Sequence, residues 1–126
     1  MEIFEEWFWK AEHDLKGANV LFEHGQLNDL VVYHSQQCAE KALKGYLTYL
    51  LQPLHKTHDL GILLEYCKVH NPVFVQLLSR TVFLNNFDTK FRYPGDELEP
   101  SELETQIAIE YATYILDFVK QQITQQ

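Results

Sequence analysis

The sequence predicts an all-α protein, an up-and-down antiparallel bundle of four to five helices. Three observations predict it. Apolar residues recur at three- and four-residue intervals through several long segments. No segment alternates apolar and polar residues as a half-buried strand would. The five glycines and four prolines gather mostly between the periodic segments. The connections they mark are short, which favours antiparallel neighbours. At 126 residues and 46% apolar content, the chain (1–126) reads as one domain with its own core.

The first helix is predicted from about Glu2 to Glu23. Ile3, Trp7, Ala11, Leu15, Ala18 and Phe22 form its stripe, widened by Phe8 and Trp9. Gly25 stands where a C-terminal cap belongs, and Asn28 or Asp29 where the next N-cap belongs. The second helix runs from about Asp29 to Leu51 and stops before Pro53. In "PLHKTHDL", Thr57 is placed as an N-cap, so a third helix is expected from about His58 to His70. Leu60, Leu63, Leu64 and Cys67 point inward along it. Asn71–Pro72 breaks that helix, and Pro72 suits the first turn of a fourth, reaching about Phe87. Val73, Leu77, Leu84 and Phe87 mark its inner side. "DTKFRYPGDELEPSE" reads as an irregular loop with a turn at Pro94–Gly95. "SELE", from Ser101, reads as a capping box opening the last helix.

Net charge is −8, which argues against broad binding of nucleic acid through neutralised phosphates but leaves room for a local basic pocket. The acids crowd two places: Glu2, Glu5, Glu6, Glu12 and Asp14, then Asp96, Glu97, Glu99, Glu102 and Glu104. Both suit helix N-termini. The acidic start is unlike a targeting segment, no apolar run approaches a membrane span, and Cys38 and Cys67 have no metal-ligand spacing. A cytoplasmic protein is the simplest expectation.

The stretch "HSQQCAEKALKGYL" (34–47) carries the most polar chemistry. On a helical wheel His34, Gln37, Glu40, Lys41 and Lys44 fall within an arc of roughly 120°. Val31, Cys38, Ala39, Ala42, Leu43 and Tyr46 oppose it, and no polar residue is expected on the core face. Glu40 and Lys44 form an i,i+4 pair, as on an ordinary wet face. Tyr33 and Leu30 lie inside the arc, however, and a mixed strip of this kind suits a cleft or a partner. In "HKTHDL", His58 and Asp59 fit helix-start capping. His55 and His58 lack a second ligand pair, so no metal is expected. In "KFRYPG", Arg92 and Tyr93 put a cation beside an aromatic ring, a setting able to hold a phosphate or a base. Phe4, Trp7, Phe8 and Trp9 cannot all be buried on one helix face, so some are expected to meet either a second chain or the terminal helix of the same bundle.

"WKAEHDLKGANVLFEHGQLNDLVVYHSQQCAEKALKGYL", then "KTHDL", then "FRYPG" together resemble the HEPN domain (higher eukaryotes and prokaryotes nucleotide-binding), from about Trp7 to Val119. The resemblance implies a homodimeric helical bundle and a nucleotide or RNA pocket lined by the second helix and later elements. It also implies a minimal nucleotidyltransferase partner in a toxin–antitoxin-like module. Gln37, Lys41, Lys44, His58, Arg92 and Tyr93 are the residues expected to bind the nucleotide or phosphate. No cofactor is expected. Catalytic members of the superfamily are metal-independent RNases that use an Arg followed, after four to six residues, by His. Here the positions after Arg80 hold Asn85, Asn86 and Phe87, and those after Arg92 hold Glu97, Leu98 and Glu99. A non-catalytic binding module is therefore expected. The alternatives are an RNase toxin using His58 or His34 as its base, and a purely structural partner-binding subunit.

Overall fold

The computed structural model describes residues 1–95 and 97–124. Asp96, part of the acidic run before the last helix, lies outside the described residues. Among the described residues five α-helices form the bundle: α1 (Ile3–His24), α2 (Asn28–Tyr49), α3 (Leu60–His70), α4 (Leu78–Asn85) and α5 (Glu102–Thr124). No strand occurs among the described residues. The fourth predicted helix is divided: Pro72–Leu77 is a 3₁₀ turn and only Leu78–Asn85 is α-helical.

The helix ends follow local chemistry. Gly25 has φ 84° and caps α1, its N–H bonding to the Leu21 carbonyl. Ser101 and Glu104 close the predicted capping box, each side chain accepting from the other's backbone N–H at 3.0 Å. Two expected caps are corrected. α2 starts after Leu27, with no side-chain cap from Asn28 or Asp29; instead the Asn28 N–H bonds to the Glu99 carboxylate, 3.2 Å away, from the loop before α5. α3 starts at Leu60 rather than His58. Asp59, not Thr57, is its N-cap, accepting from the N–H groups of Gly61 and Ile62, while Thr57 accepts from the Asp59 N–H. Asn85 at the end of α4 completes this cap. Its side chain accepts from the Leu60 N–H at 2.8 Å and donates to Asp59 at 3.0 Å.

The core runs between α2 and the elements around it. Leu43, Tyr46, Leu60, Leu63, Leu64, Phe74, Leu77, Leu84 and Ile115 are fully buried. Tyr46 packs on Phe74, which meets Phe118 edge-on. Cys38 and Cys67 are buried free thiols, and burial pushes Cys67 up to about 12.

α1 lies especially close to α2. A Cβ on Gly45 would fall 3.1 Å from the Phe8 ring and 3.2 Å from the Trp7 Cβ, so the bare glycine permits the contact. The N-terminal aromatics are mostly used within the chain. Phe8 is buried, Phe4 packs edge-on against Tyr49 and Phe8, and Trp7 lies half-buried beside Lys44; only Trp9 is exposed.

Candidate functional site

The polar strip of α2 is not the wet surface that the wheel suggests. Trp7 of α1 and the segment after α2 cover part of it, and Glu40 and Lys44 are buried. Gln36 and Ser35 are buried completely, which corrects the expectation of a core face without polar residues. Each is satisfied. Ser35 donates to the Val31 carbonyl at 2.9 Å, and the Gln36 amide donates to the His58 carbonyl at 3.2 Å.

Two charge networks occupy the strip. In the first, Asp14 of α1 binds His34 Nδ1 at 2.9 Å and Lys41 Nζ at 2.5 Å. Burial pushes the Asp14 carboxyl up, but the hydrogen bonds from His34 and Lys41 outweigh it, and the group lies below its ordinary value. In the second, Glu40 binds Lys44 Nζ at 3.0 Å and His58 Nδ1 at 3.1 Å. Gln37 adjoins the second network, donating to Gln36 Oε1 at 2.7 Å and, at 3.4 Å, to Glu40. Lys41, Lys44 and His58 thus all face a carboxylate. Among the described residues, no three His, Cys, Asp or Glu side chains gather into a metal-holding group.

Arg92 and Tyr93 stand apart from these networks. They come from the loop after α4, and Arg92 meets α2 at Tyr33, one turn before Gln37. The Arg92 guanidinium lies 4.4 Å over the Tyr33 ring and 5.6 Å from the Tyr93 ring, and donates to the Asp88 carbonyl at 3.1 Å. Beside it is a cleft of about 200 Å³ lined by Asp29, Leu30, Tyr33, Phe91 and Arg92. Leu30 and Tyr33 are the two residues that interrupt the polar arc in the sequence. Along α2, Tyr33 and Lys44 are eleven residues apart, about 16 Å. A single phosphate cannot touch both Arg92 and the Lys44–His58 end.

Arg80, the other arginine, stacks 3.6 Å from the Tyr114 ring and 5.6 Å from Tyr111 on α5. Among the described residues neither arginine forms an ion pair. Asn85, five residues after Arg80, is the residue that completes the α3 cap.

The HEPN domain model matches residues 4–122, nearly the whole chain. The chain belongs to the HEPN family. Solved structures agree with that assignment. ST0689, described as an archaeal HEPN homologue, is 33% identical with a TM-score of 0.78, the match covering 98% of this chain and 99% of that one. TT1696 from Thermus thermophilus is 27% identical with a TM-score of 0.80, covering 96% and 98%. None of the curated proteins matches the chain. Among the described residues no helix of this HEPN domain is long and apolar enough to cross a membrane.

Sequence reasoning missed Asp14, Gln36 and Asn85. Nothing local marks them, because each acts on a residue at least 20 positions away. Tyr33 did leave a signal, as an aromatic inside a polar arc.

Proposed function

We propose that this HEPN domain is a non-catalytic module that binds a nucleotide or short RNA, with Arg92 as the principal phosphate contact. The observation that carries the reading is the Arg92 guanidinium set over the Tyr33 ring at the cleft. A guanidinium held against an aromatic face keeps its N–H edges available for phosphate oxygens, and the rings offer a base a surface to stack on. Tyr93 adds a second ring. Gln37 and Lys41 extend the site along α2, while Lys44 and His58, both held by Glu40, would be reached only by a ligand longer than one nucleotide. In this reading the domain forms a homodimer in the cytoplasm and acts with a minimal nucleotidyltransferase as one half of a toxin–antitoxin-like module.

The two arginines speak against catalysis. Neither is followed by His, Arg80 is committed to Tyr114, and Asn85 to a helix cap. Cleavage through a 2′-hydroxyl requires a base where these residues offer none.

Calorimetric titration with ATP, GTP and a short single-stranded RNA tests the proposal. Binding should weaken at least about tenfold in Arg92→Ala, a loss of about 1.4 kcal/mol, and hold in Arg80→Ala. No heat at millimolar ligand, or equal affinity in Arg92→Ala, refutes it.

One observation favours a second reading, a metal-independent RNase. His34 and His58 each direct Nδ1 at a carboxylate, so the other ring nitrogen is left as a base. Growth arrest on expression, with RNA cleavage in EDTA lost in His34→Ala or His58→Ala, would favour it. An inert protein removes it.

A further inference from the structure

One residue of the Arg92 cleft has no role in phosphate binding. Asp29 lines the cleft with Leu30, Tyr33, Phe91 and Arg92. It stands four residues before Tyr33 on α2, one turn or about 6 Å along the axis. Arg92 sits over Tyr33, so the carboxylate and the guanidinium share the cleft at levels one turn apart.

Asp29 is half-buried, and its carboxylate has no hydrogen bond or ion pair among the described residues. It does not cap α2. Arg92 has no ion pair either, so the two charges face the same space without meeting. An acid in the first turn suits the helix dipole. The dipole does not account for the cleft, nor for the unpaired arginine that shares it.

The two charges give the cleft a direction. A carboxylate repels phosphate and only accepts hydrogen bonds, so phosphates belong at the Arg92 end and a donor edge at the Asp29 end. Beyond Tyr33 the same four-residue series continues with Gln37, so polar groups extend from the Arg92 end and not from the Asp29 end. The volume, about 200 Å³, is below the about 300–1,000 Å³ of pockets that enclose a whole small ligand. It suits one planar base between the apolar walls Leu30, Tyr33 and Phe91, with sugar and phosphates outside beside the exposed Arg92.

The bases differ in what they offer a carboxylate. Guanine presents two adjacent donors, N1–H and the N2 amine, one for each oxygen. Adenine sets its N6 amine beside the N1 acceptor, and cytosine its N4 amine beside N3, so one oxygen would face a lone pair. Uracil offers a single N–H between two carbonyls. A half-buried acceptor left unmatched is a strong basis for rejecting the wrong base.

We propose, on the nucleotide reading of this cleft, that it is a guanine pocket. Asp29 accepts from N1–H and the N2 amine, and Arg92 holds the phosphate. The guanine comes from a free nucleotide or from single-stranded RNA.

Calorimetry on the whole chain tests this with GTP, ITP, ATP and XTP, and with the RNAs UUGUU and UUAUU. GTP should bind at least about tenfold more tightly than ATP. ITP, which lacks the N2 amine, should fall between them. A like preference for UUGUU over UUAUU makes RNA a source of the guanine, and a preference confined to the triphosphates makes it the free nucleotide. Either sustains the pocket.

Asp29→Asn is the deciding variant. Removing a negative charge strengthens the binding of every anion, so the ratio of affinities is the quantity to read. The GTP preference over ATP should vanish. XTP carries a carbonyl in place of the N2 amine, to which the new amide can donate, so XTP should gain on GTP at least about tenfold. A purely structural Asp29 would not produce that gain. Asp29→Ala should lose the GTP preference without the XTP gain, and melting curves should show that both variants fold. Equal affinity of the native chain for GTP and ATP, or an unchanged GTP/ATP ratio in Asp29→Asn, overturns the guanine pocket. Should Arg92→Ala then weaken both nucleotides alike, the nucleotide reading stands without it. No binding of any nucleotide or RNA at millimolar concentration overturns both.

Discussion

Replacing Glu40 by alanine should be among the most damaging single polar changes in this protein, although Glu40 and Lys44 resemble a routine surface pair. Their side chains are only 4% and 7% exposed. Removing the carboxylate leaves the Lys44 ammonium buried without its counter-charge, which typically costs about 3–5 kcal/mol. Part of that is recovered. Lys44 remains 5.7 Å from the Trp7 ring, and that contact, with some relaxation of the long stem toward water, returns about 1 kcal/mol. The net loss should be about 2–4 kcal/mol, out of a total stability of about 5–15 kcal/mol for a domain. Near this size it corresponds to a melting temperature lowered by about 6–20 °C. Urea unfolding of Glu40→Ala, Lys44→Met and the double variant Glu40→Met/Lys44→Met forms the test. The double variant should lie within about 1 kcal/mol of the native protein, because both charges leave together and methionine fills the space. A loss below about 1 kcal/mol in Glu40→Ala would mean that the pair is hydrated and that α1 does not cover it. A double variant as unstable as the single would place the loss in packing rather than in an orphaned charge.

Further expectations concern the two mid-helix glycines and Asp14. Gly17→Ala should stabilise by about 0.5–1 kcal/mol, since nothing stands within 4 Å of the new Cβ and the site is mid-helix. Gly45→Ala should forfeit that gain and be neutral to destabilising by up to about 2 kcal/mol, because its Cβ meets Phe8 and Trp7; Gly17→Ala should melt above the native protein and Gly45→Ala no higher than it. Asp14→Asn should lower stability at neutral pH by about 1 kcal/mol, allowing for solvent at Lys41 and His34. The folded Asp14 carboxyl lies below its ordinary 3.8. Its contribution is therefore complete above that value and lost as the pH falls through the folded one, so urea midpoints of the native and Asn proteins should converge below pH 3.8.

The helices were legible because the information is local. The three- and four-residue spacing, Gly25 after α1 and the Ser101–Glu104 box each act over a few residues. Where the sequence misled, two local candidates competed and a distant residue decided. Thr57 and Asp59 can both cap a helix, and the choice follows Asn85, which bonds to Asp59 and takes the Leu60 N–H from the far end of α4. The fourth helix was overextended because Pro72 can open a 3₁₀ turn as readily as an α-helix.

The polar arc of α2 shows the same limit with a functional consequence. A wheel reports which side of a helix is polar, not what lies over it. His34, Glu40, Lys41 and Lys44 share an arc, yet Glu40 and Lys44 are buried because Gly45 admits α1 and the segment after α2 folds back. In a chain of net charge −8 there are acids to spare, and on this strip each expected cation has one: Asp14 for His34 and Lys41, Glu40 for Lys44 and His58. A phosphate approaching those groups must compete with a carboxylate already in place. Arg92 contacts rings and a backbone carbonyl and forms no ion pair among the described residues, although Asp29 lines the same cleft. The six residues that the family resemblance suggests are therefore not equivalent, and the attraction for an anion should be concentrated at the Arg92–Tyr33 end of α2. If Lys41→Ala weakened nucleotide binding more than Arg92→Ala did, that ordering would be wrong, and the Asp14 carboxylate would have to turn away from Lys41 when ligand binds.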